Sequence, residues 1–177
     1  SKRECTTGTR GATGTENRAW LPPAASGIDP AIHQLTAGRY RGPDQVPGGG
    51  VLVVGASASG VQIADELRRA GRPVVISVGR HARLPRHYRD RDILWWMERA
   101  GVLGQTIDQV HDARIARRAP SLQLSGRADH PVGLDALAAR GVRLAGRLVA
   151  ADGHRLRFAD DLPTTIAGAQ ARMERLL

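Results

Sequence analysis

The sequence predicts an α/β fold of the Rossmann-like, parallel-sheet type, with a small β-hairpin excursion. Three observations carry this. Val51-Leu52-Val53-Val54 is an unbroken apolar run between glycines, residues 60–70 carry helical spacing, and Val74-Val75-Ile76 is a second apolar run. A strand covered on both faces of a parallel sheet reads as a continuous apolar run rather than an alternating one. Strand, helix and strand fit within about 30 residues, the size of a βαβ unit.

Residues 1–30 are rich in Gly, Thr, Pro and Ser and lack apolar periodicity, which predicts an irregular start. Residues 31–49 read as a connection, with Ile32 and Leu35, then Tyr40, Pro43, Pro47 and the triplet Gly48 to Gly50. In the first helix Ile63, Leu67 and Ala70 share one face, while Asp65, Glu66, Arg68 and Arg69 lie off it, and Gly71 ends it. Arg80 to Arg91 is a basic stretch without a clear element. A second helix is predicted from about Asp92 to Ala100, with Ile93, Trp96, Met97 and Ala100 spaced i, i+3, i+4, i+7. Residues 104–120 are polar and unassigned. Short strands are predicted at Leu122 to Leu124 and Val142 to Leu144, with a helix at Leu134 to Ala139 between them. Leu148 to Ala151 and Leu156 to Phe158 flank Asp152-Gly153, a hairpin signal. A last helix spans residues 163–177, with Ile166, Ala169, Met173 and Leu176 on one side.

Composition narrows the function classes. The 177 residues are 41% hydrophobic with a formal charge of +9, enough apolar material for a core. All but Lys2 of the 26 basic residues are arginine, the side chain whose planar fork matches phosphate. Nucleic acid as a partner is disfavoured because aromatic residues are 3% of the chain, too few for stacking platforms. Cys5 is the single cysteine, which excludes an intrachain disulfide and a cysteine-based metal site and suits a reducing, cytoplasmic setting. No apolar run reaches the roughly 18 residues of a membrane span, and no signal peptide is recognisable. The first residue is Ser1, which suggests a trimmed or partial product.

The chemistry is carried by Gly55-Ala56-Ser57-Ala58-Ser59-Gly60, between the first strand and the first helix. This is the context of the dinucleotide fingerprint G-x-G-x-x-G. Gly55 permits the tight turn and Gly60 the close approach of helix to strand. Unpaired N–H groups and the helix dipole at the helix start favour a pyrophosphate. Ser57 replaces the middle glycine: it adds bulk near the phosphates but brings a hydroxyl donor. The residue that discriminates the cofactor lies about 20 positions past the last glycine, at the second strand's end. That position holds Arg80, where an acid would favour NADH; an arginine suits the 2′-phosphate of NADPH, with His81 and Arg83 as helpers. A turn of small residues for packing alone, and Arg80 as a solvated surface charge, are the plainer accounts. A nucleophile elbow, G-x-S-x-G, is the other chemistry considered, but its fifth position is Ser59 and no His is evidently placed as base.

The stretch VLVVGASASGVQIADELRRAGRPVVISVGRHARLPRHYRDRDILWWMERAGVL resembles the NADPH-binding segment of bacterial flavin-containing monooxygenase-like proteins, also described as FAD-dependent oxidoreductases. YRGPDQVPGGG upstream and GVRLAGRLVAADGHRLRFADDL downstream are similar to that family as well. The resemblance covers about Thr13 to Leu177. It implies a design in which an FAD domain faces an inserted NADPH domain and NADPH reduces the flavin, which activates oxygen for a small-molecule substrate. It also implies that Gly55, Ser57, Ala58, Ser59 and Gly60 hold the pyrophosphate and Arg80 the 2′-phosphate. Residues 1–48 would then be a remnant of the FAD domain and a linker, 49–160 the NADPH domain, and 161–177 a helix returning toward the FAD domain. The sequence departs from the family in three places. The N-terminal FAD fingerprint is missing. Gly11-Ala12-Thr13-Gly14 holds the family's Ala-Thr-Gly, but polar residues precede it rather than a strand, and Thr36 stands where the family has a histidine four residues before Tyr40. The expectation is an NADPH-binding portion whose FAD site is completed by the rest of the FAD domain or a second chain. The alternative is a catalytically silent nucleotide-binding remnant.

Overall fold

A computed structural model describes residues 21–109, 112, 114, 121–124, 126–127 and 130–175. The expectations for residues 1–20, including Ala12-Thr13-Gly14, and for the end of the last helix at Leu176 lie outside these. Along the chain run β1 (Val51–Val54), α1 (Ala58–Arg69), β2 (Val74–Ser77), β3 (His81–Arg83), β4 (His87–Tyr88), β5 (Arg91–Asp92), α2 (Ile93–Arg99), β6 (Ser121–Gln123), β7 (Gly126–Arg127), β8 (His130–Pro131), α3 (Leu134–Ala139), β9 (Arg143–Ala145), β10 (Leu148–Asp152), β11 (Arg155–Phe158) and α4 (Leu162–Glu174).

The fold is mixed α/β around a parallel three-stranded sheet in the order β1-β2-β9. Among the described residues this sheet has three strands, fewer than the roughly six of a complete doubly wound sheet. Val53 of β1 stands opposite Ile76 of β2, and Ile76 opposite Leu144 of β9. The layer between this sheet and helices α1 and α3 is the core, where Val61, Ala64, Leu67, Ile76 and Leu137 are at most 1% exposed. The buried face of α1 is therefore Val61, Ala64 and Leu67 with Ile63 half-buried; Ala70, expected on this face, is the exposed C-cap. Gly71 ends the helix with φ +79°, a conformation open to glycine.

Asp65, expected on the polar side of α1, is 6% exposed. Its carboxylate meets the Arg140 guanidinium at 2.6 Å and that of Arg69 at 3.0 Å, while Arg68 Nε donates to the Arg140 carbonyl at 2.7 Å. These contacts join α1 to the end of α3, and burial of the charge is tolerated because it is paired. Arg72 ties down the segment before β1 in the same manner, donating to the carbonyls of Val46 (2.9 Å), Pro47 and Gly49 (2.9 and 3.1 Å).

Between β2 and α3 the chain makes an excursion, and here the structure adds most to the sequence expectation. The basic stretch Arg80 to Arg91 contains β3, which pairs in parallel with β6, and the hairpin β4–β5. That hairpin turns at Arg89 and Asp90, both with positive φ (46° and 59°), the backbone of a type I′ turn without its usual Asn-Gly. β7–β8 is another hairpin. Trp96, expected in the core, is half-buried and donates through Nε1 to the Tyr88 carbonyl at 2.8 Å, while Trp95 is 39% exposed. The predicted hairpin near residue 152 is β10–β11, but its register places Asp152 opposite Arg155, so the loop is Gly153-His154. Gly153 supplies the positive φ of +57° that this shorter loop demands. Its tip docks on residues 27–29: the Gly153 N–H donates to the Gly27 carbonyl (2.8 Å) and the Asp29 N–H to the Gly153 carbonyl (3.1 Å). No helix among the described residues is long and apolar enough to cross a membrane.

Candidate functional site

The parallel strands β1 and β2 place their carboxyl ends at one edge, which is where ligands bind in open α/β sheets. The first turn there is Gly55 to Gly60. Gly55 has φ +106°, a value that side-chain-bearing residues rarely adopt. Gly60, in the first turn of α1, lies against the strand: a Cβ built on it would collide with the Gly55 carbonyl oxygen. Both glycines are thus required by geometry. Ser57, the departure from the fingerprint, is the N-cap of α1 with φ −76° and ψ −179°, an extended backbone that any residue adopts. Its replacement of glycine therefore costs no backbone strain, and its side chain makes no capping bond. Ala58 opens the helix half-buried and Ser59 is exposed. The unpaired N–H groups at the start of this 12-residue helix form a natural seat for an anion.

A cavity of about 470 Å³ opens beside the turn, lined by Gly55, Ser57, Ser59 and Gly60, by all of β1, and by the 33–40 segment including His33, Thr36 and Tyr40. Among the described residues the Tyr40 hydroxyl is buried without a hydrogen bond. Burial and then the nearby Glu66 carboxylate push its ionisation up to about 12, so the phenol stays protonated across the physiological range.

The expected phosphate group of side chains is not brought together at this cavity. Arg80 is exposed, three residues past the end of β2 on the same edge as the turn, but it does not line the cavity. Arg83 pairs with Asp135 at 2.9 Å. His81 is 2% exposed, its Nδ1 lies 2.9 Å from the Gly79 carbonyl, and its own carbonyl accepts two bonds from the Arg172 guanidinium of α4 (3.0 and 2.8 Å). Both therefore have protein partners. Burial lowers the His81 pKa below its ordinary 6.5, with the nearby Arg172 and Arg83 charges adding to the effect. A depressed histidine pKa means that the unfolded chain takes up the proton first, so stability falls as pH drops below about 6.5. Denaturant unfolding at pH 7 and pH 5 should show that loss, and His81→Gln should flatten the difference; an unchanged slope would remove His81 as its source.

Gln123 is the site residue that the sequence did not single out. It lies at the end of β6, is 2% exposed, and donates from Nε2 to the Ala56 carbonyl at 2.7 Å. A glutamine between Leu122 and Leu124 of a short predicted strand, 67 residues from its partner, leaves no local signal of its role. Among the described residues no group of three or more His, Cys, Asp or Glu side chains is placed to hold a metal.

No protein-family model matches the chain. It is 38% identical over 98 residues to a protein of Geobacillus kaustophilus named uncharacterized oxidoreductase CzcO-like, a stretch that is 55% of this chain and 28% of that protein. It is 34% identical over 83 residues to uncharacterized oxidoreductase CzcO of Bacillus velezensis (47% and 24%) and 33% identical over 92 residues to its namesake in Bacillus subtilis (52% and 27%). The matched stretch thus spans about a quarter of each of these relatives.

Proposed function

We propose that this chain is the NADPH-binding portion of a flavin-dependent oxidoreductase, a monooxygenase by the family it resembles. The observation that carries the reading is the Gly55–Gly60 turn at the carboxyl edge of the sheet, with positive φ at Gly55 and close contact at Gly60. The residues fit a dinucleotide: N–H groups at the start of α1 would hold the pyrophosphate, the Ser57 hydroxyl would add a donor, and Arg80 beyond β2 would pair with the 2′-phosphate. His81 and Arg83 would act behind Arg80, as parts of its support, given their existing partners. When bound, NADPH supplies a hydride; the chain's own residues bind and orient it. The similarity to proteins named as oxidoreductases supports this class of chemistry. FAD does not fit the described residues in the same way. They contain one strand–glycine turn–helix unit, so the flavin would be held by another part of the polypeptide or by a partner chain.

Titration with NADPH and NADH tests the cofactor assignment. NADPH should bind at least about tenfold more tightly, and Arg80→Ala should bring the two together, since a charge-assisted phosphate pair is worth about 1.5–3 kcal/mol. Equal affinities in the parent chain would overturn the role of Arg80. The single glycine turn also favours a second reading, a nucleotide-binding remnant without catalysis. NADPH-dependent oxygen uptake in the presence of added FAD separates the two: uptake supports the oxidoreductase, nucleotide binding without uptake the remnant.

A further inference from the structure

We infer that Gln123 is a positioning residue for the pyrophosphate, acting through the peptide between Ala56 and Ser57. The inference rests on the dinucleotide reading of the turn and adds to it a residue from a separate part of the sheet. The Gln123 amide is buried and donates to the Ala56 carbonyl at 2.7 Å. Among the described residues no peptide bond is cis. In a trans peptide the carbonyl and the following N–H point in opposite directions. Holding the Ala56 carbonyl toward Gln123 therefore turns the Ser57 N–H the other way. Ala56 is 3% exposed, whereas Ser57 borders the cavity beside the turn, so that direction leads from the packed side of the turn to its open side. The Ser57 N–H is the first amide of the helix start, where an anion would be met. The carbonyl oxygen, which would repel a phosphate, is kept away from it.

The turn cannot set this orientation unaided. Ser57 makes no side-chain cap, and on the other side the nearest backbone bond is from the Gly55 N–H to the Ser77 carbonyl at 2.9 Å, two peptides earlier, with the freely rotating Gly55 between. The next backbone restraint is the Val61 N–H bond to the Ser57 carbonyl at 3.1 Å, one peptide further along. β6 reaches the turn because it pairs with β3, which follows β2 directly, so the excursion delivers Gln123 to the back of the glycine turn. His81, Arg83 and Asp135 border the same small space as Gln123 and are the titratable groups around it.

The test compares Gln123→Met, which keeps the volume and removes the donor, with Gln123→Glu. Three readouts are taken: NADPH affinity, affinity for adenosine 2′-monophosphate, which has no pyrophosphate, and the amide resonance of Ser57 in the unliganded protein. Gln123→Met is expected to weaken NADPH about tenfold, leave adenosine 2′-monophosphate unchanged, and shift or broaden the Ser57 amide while that of Val61 stays in place. Gln123→Glu is expected to bind NADPH weakly at neutral pH and to recover on acidification beyond any change seen in the parent, because a protonated carboxyl regains a donor toward Ala56 and burial raises its pKa. Equal loss of both ligands, or a Ser57 amide unmoved in Gln123→Met, would overturn the positioning role. A parent chain that binds neither ligand would instead sink the dinucleotide reading, and the Ser57 resonance would still decide whether Gln123 orients the peptide.

Discussion

Replacing Gly60 by alanine is expected to destabilise the protein by about 3 kcal/mol, the upper end for overpacking a closely fitted position. The reason is the neighbour. The added Cβ would meet the Gly55 carbonyl oxygen, a backbone atom at a residue with φ +106°, and not the end of a flexible side chain. Relief requires α1 to move away from β1 or the turn to open, and either displaces the amides proposed to hold the pyrophosphate. NADPH binding should therefore fall with stability. Gly79→Ala is the control: a Cβ there meets nothing within 4 Å, so the change should stay within about 0.5 kcal/mol. Urea unfolding of the two variants checks the contrast, and similar midpoints would show that α1 does not press on the turn as described.

Ile76→Ala is expected to cost about 2–5 kcal/mol, the range for deleting most of a buried aliphatic side chain. Ile76 is 0% exposed at the centre of the middle strand, with Val53 on one side in register and Leu144 on the other. A void there is shared by all three strands, so no single element can shift to fill it. Against the roughly 5–15 kcal/mol of a typical domain, such a loss leaves little stability. Ile76→Val, losing one methylene, should cost about 0.5–1.5 kcal/mol. Thermal melts of the pair give the comparison; a loss below about 1 kcal/mol for the alanine variant would mean that the sheet is not the centre of the core.

What the sequence revealed and what it hid follow from the range over which each signal acts. β1, α1 and β2 were legible because their apolar periods and glycine punctuation lie within one short segment, and α3 was found with its observed bounds of Leu134–Ala139. β6 overlaps the strand predicted at Leu122 to Leu124, but β3 and its pairing with β6 were not legible: β3 has three residues, too short for a period, and its partner lies far along the chain. Asp65 read as a surface acid because its pairing with Arg69, four residues on, is that of any exposed helix, and its second partner, Arg140, is 75 residues away. Arg83 and His81 were grouped with Arg80 by adjacency, yet Arg80 precedes β3 and is exposed, whereas His81 and Arg83, two residues apart in β3, share the face that borders Gln123 and Asp135. At the candidate site the glycines carry a backbone requirement that sequence can report. Gln123 carries a tertiary one that it cannot.

The two bonds from the Arg172 guanidinium to the His81 carbonyl have a dynamic consequence. They fasten the last helix to the peptide between His81 and Ala82, at the start of β3, and α4 lies along β3 from that point. A segment held this way does not open alone: releasing α4 leaves β3 held by β6 on one side only, so the two loosen together. In native-state hydrogen exchange the amides of α4 and of residues 81–83 should form one cooperative unit. The segment proposed to choose between phosphorylated and unphosphorylated ribose would then share its opening equilibrium with α4, while the glycine turn, packed on the central sheet, opens with the core.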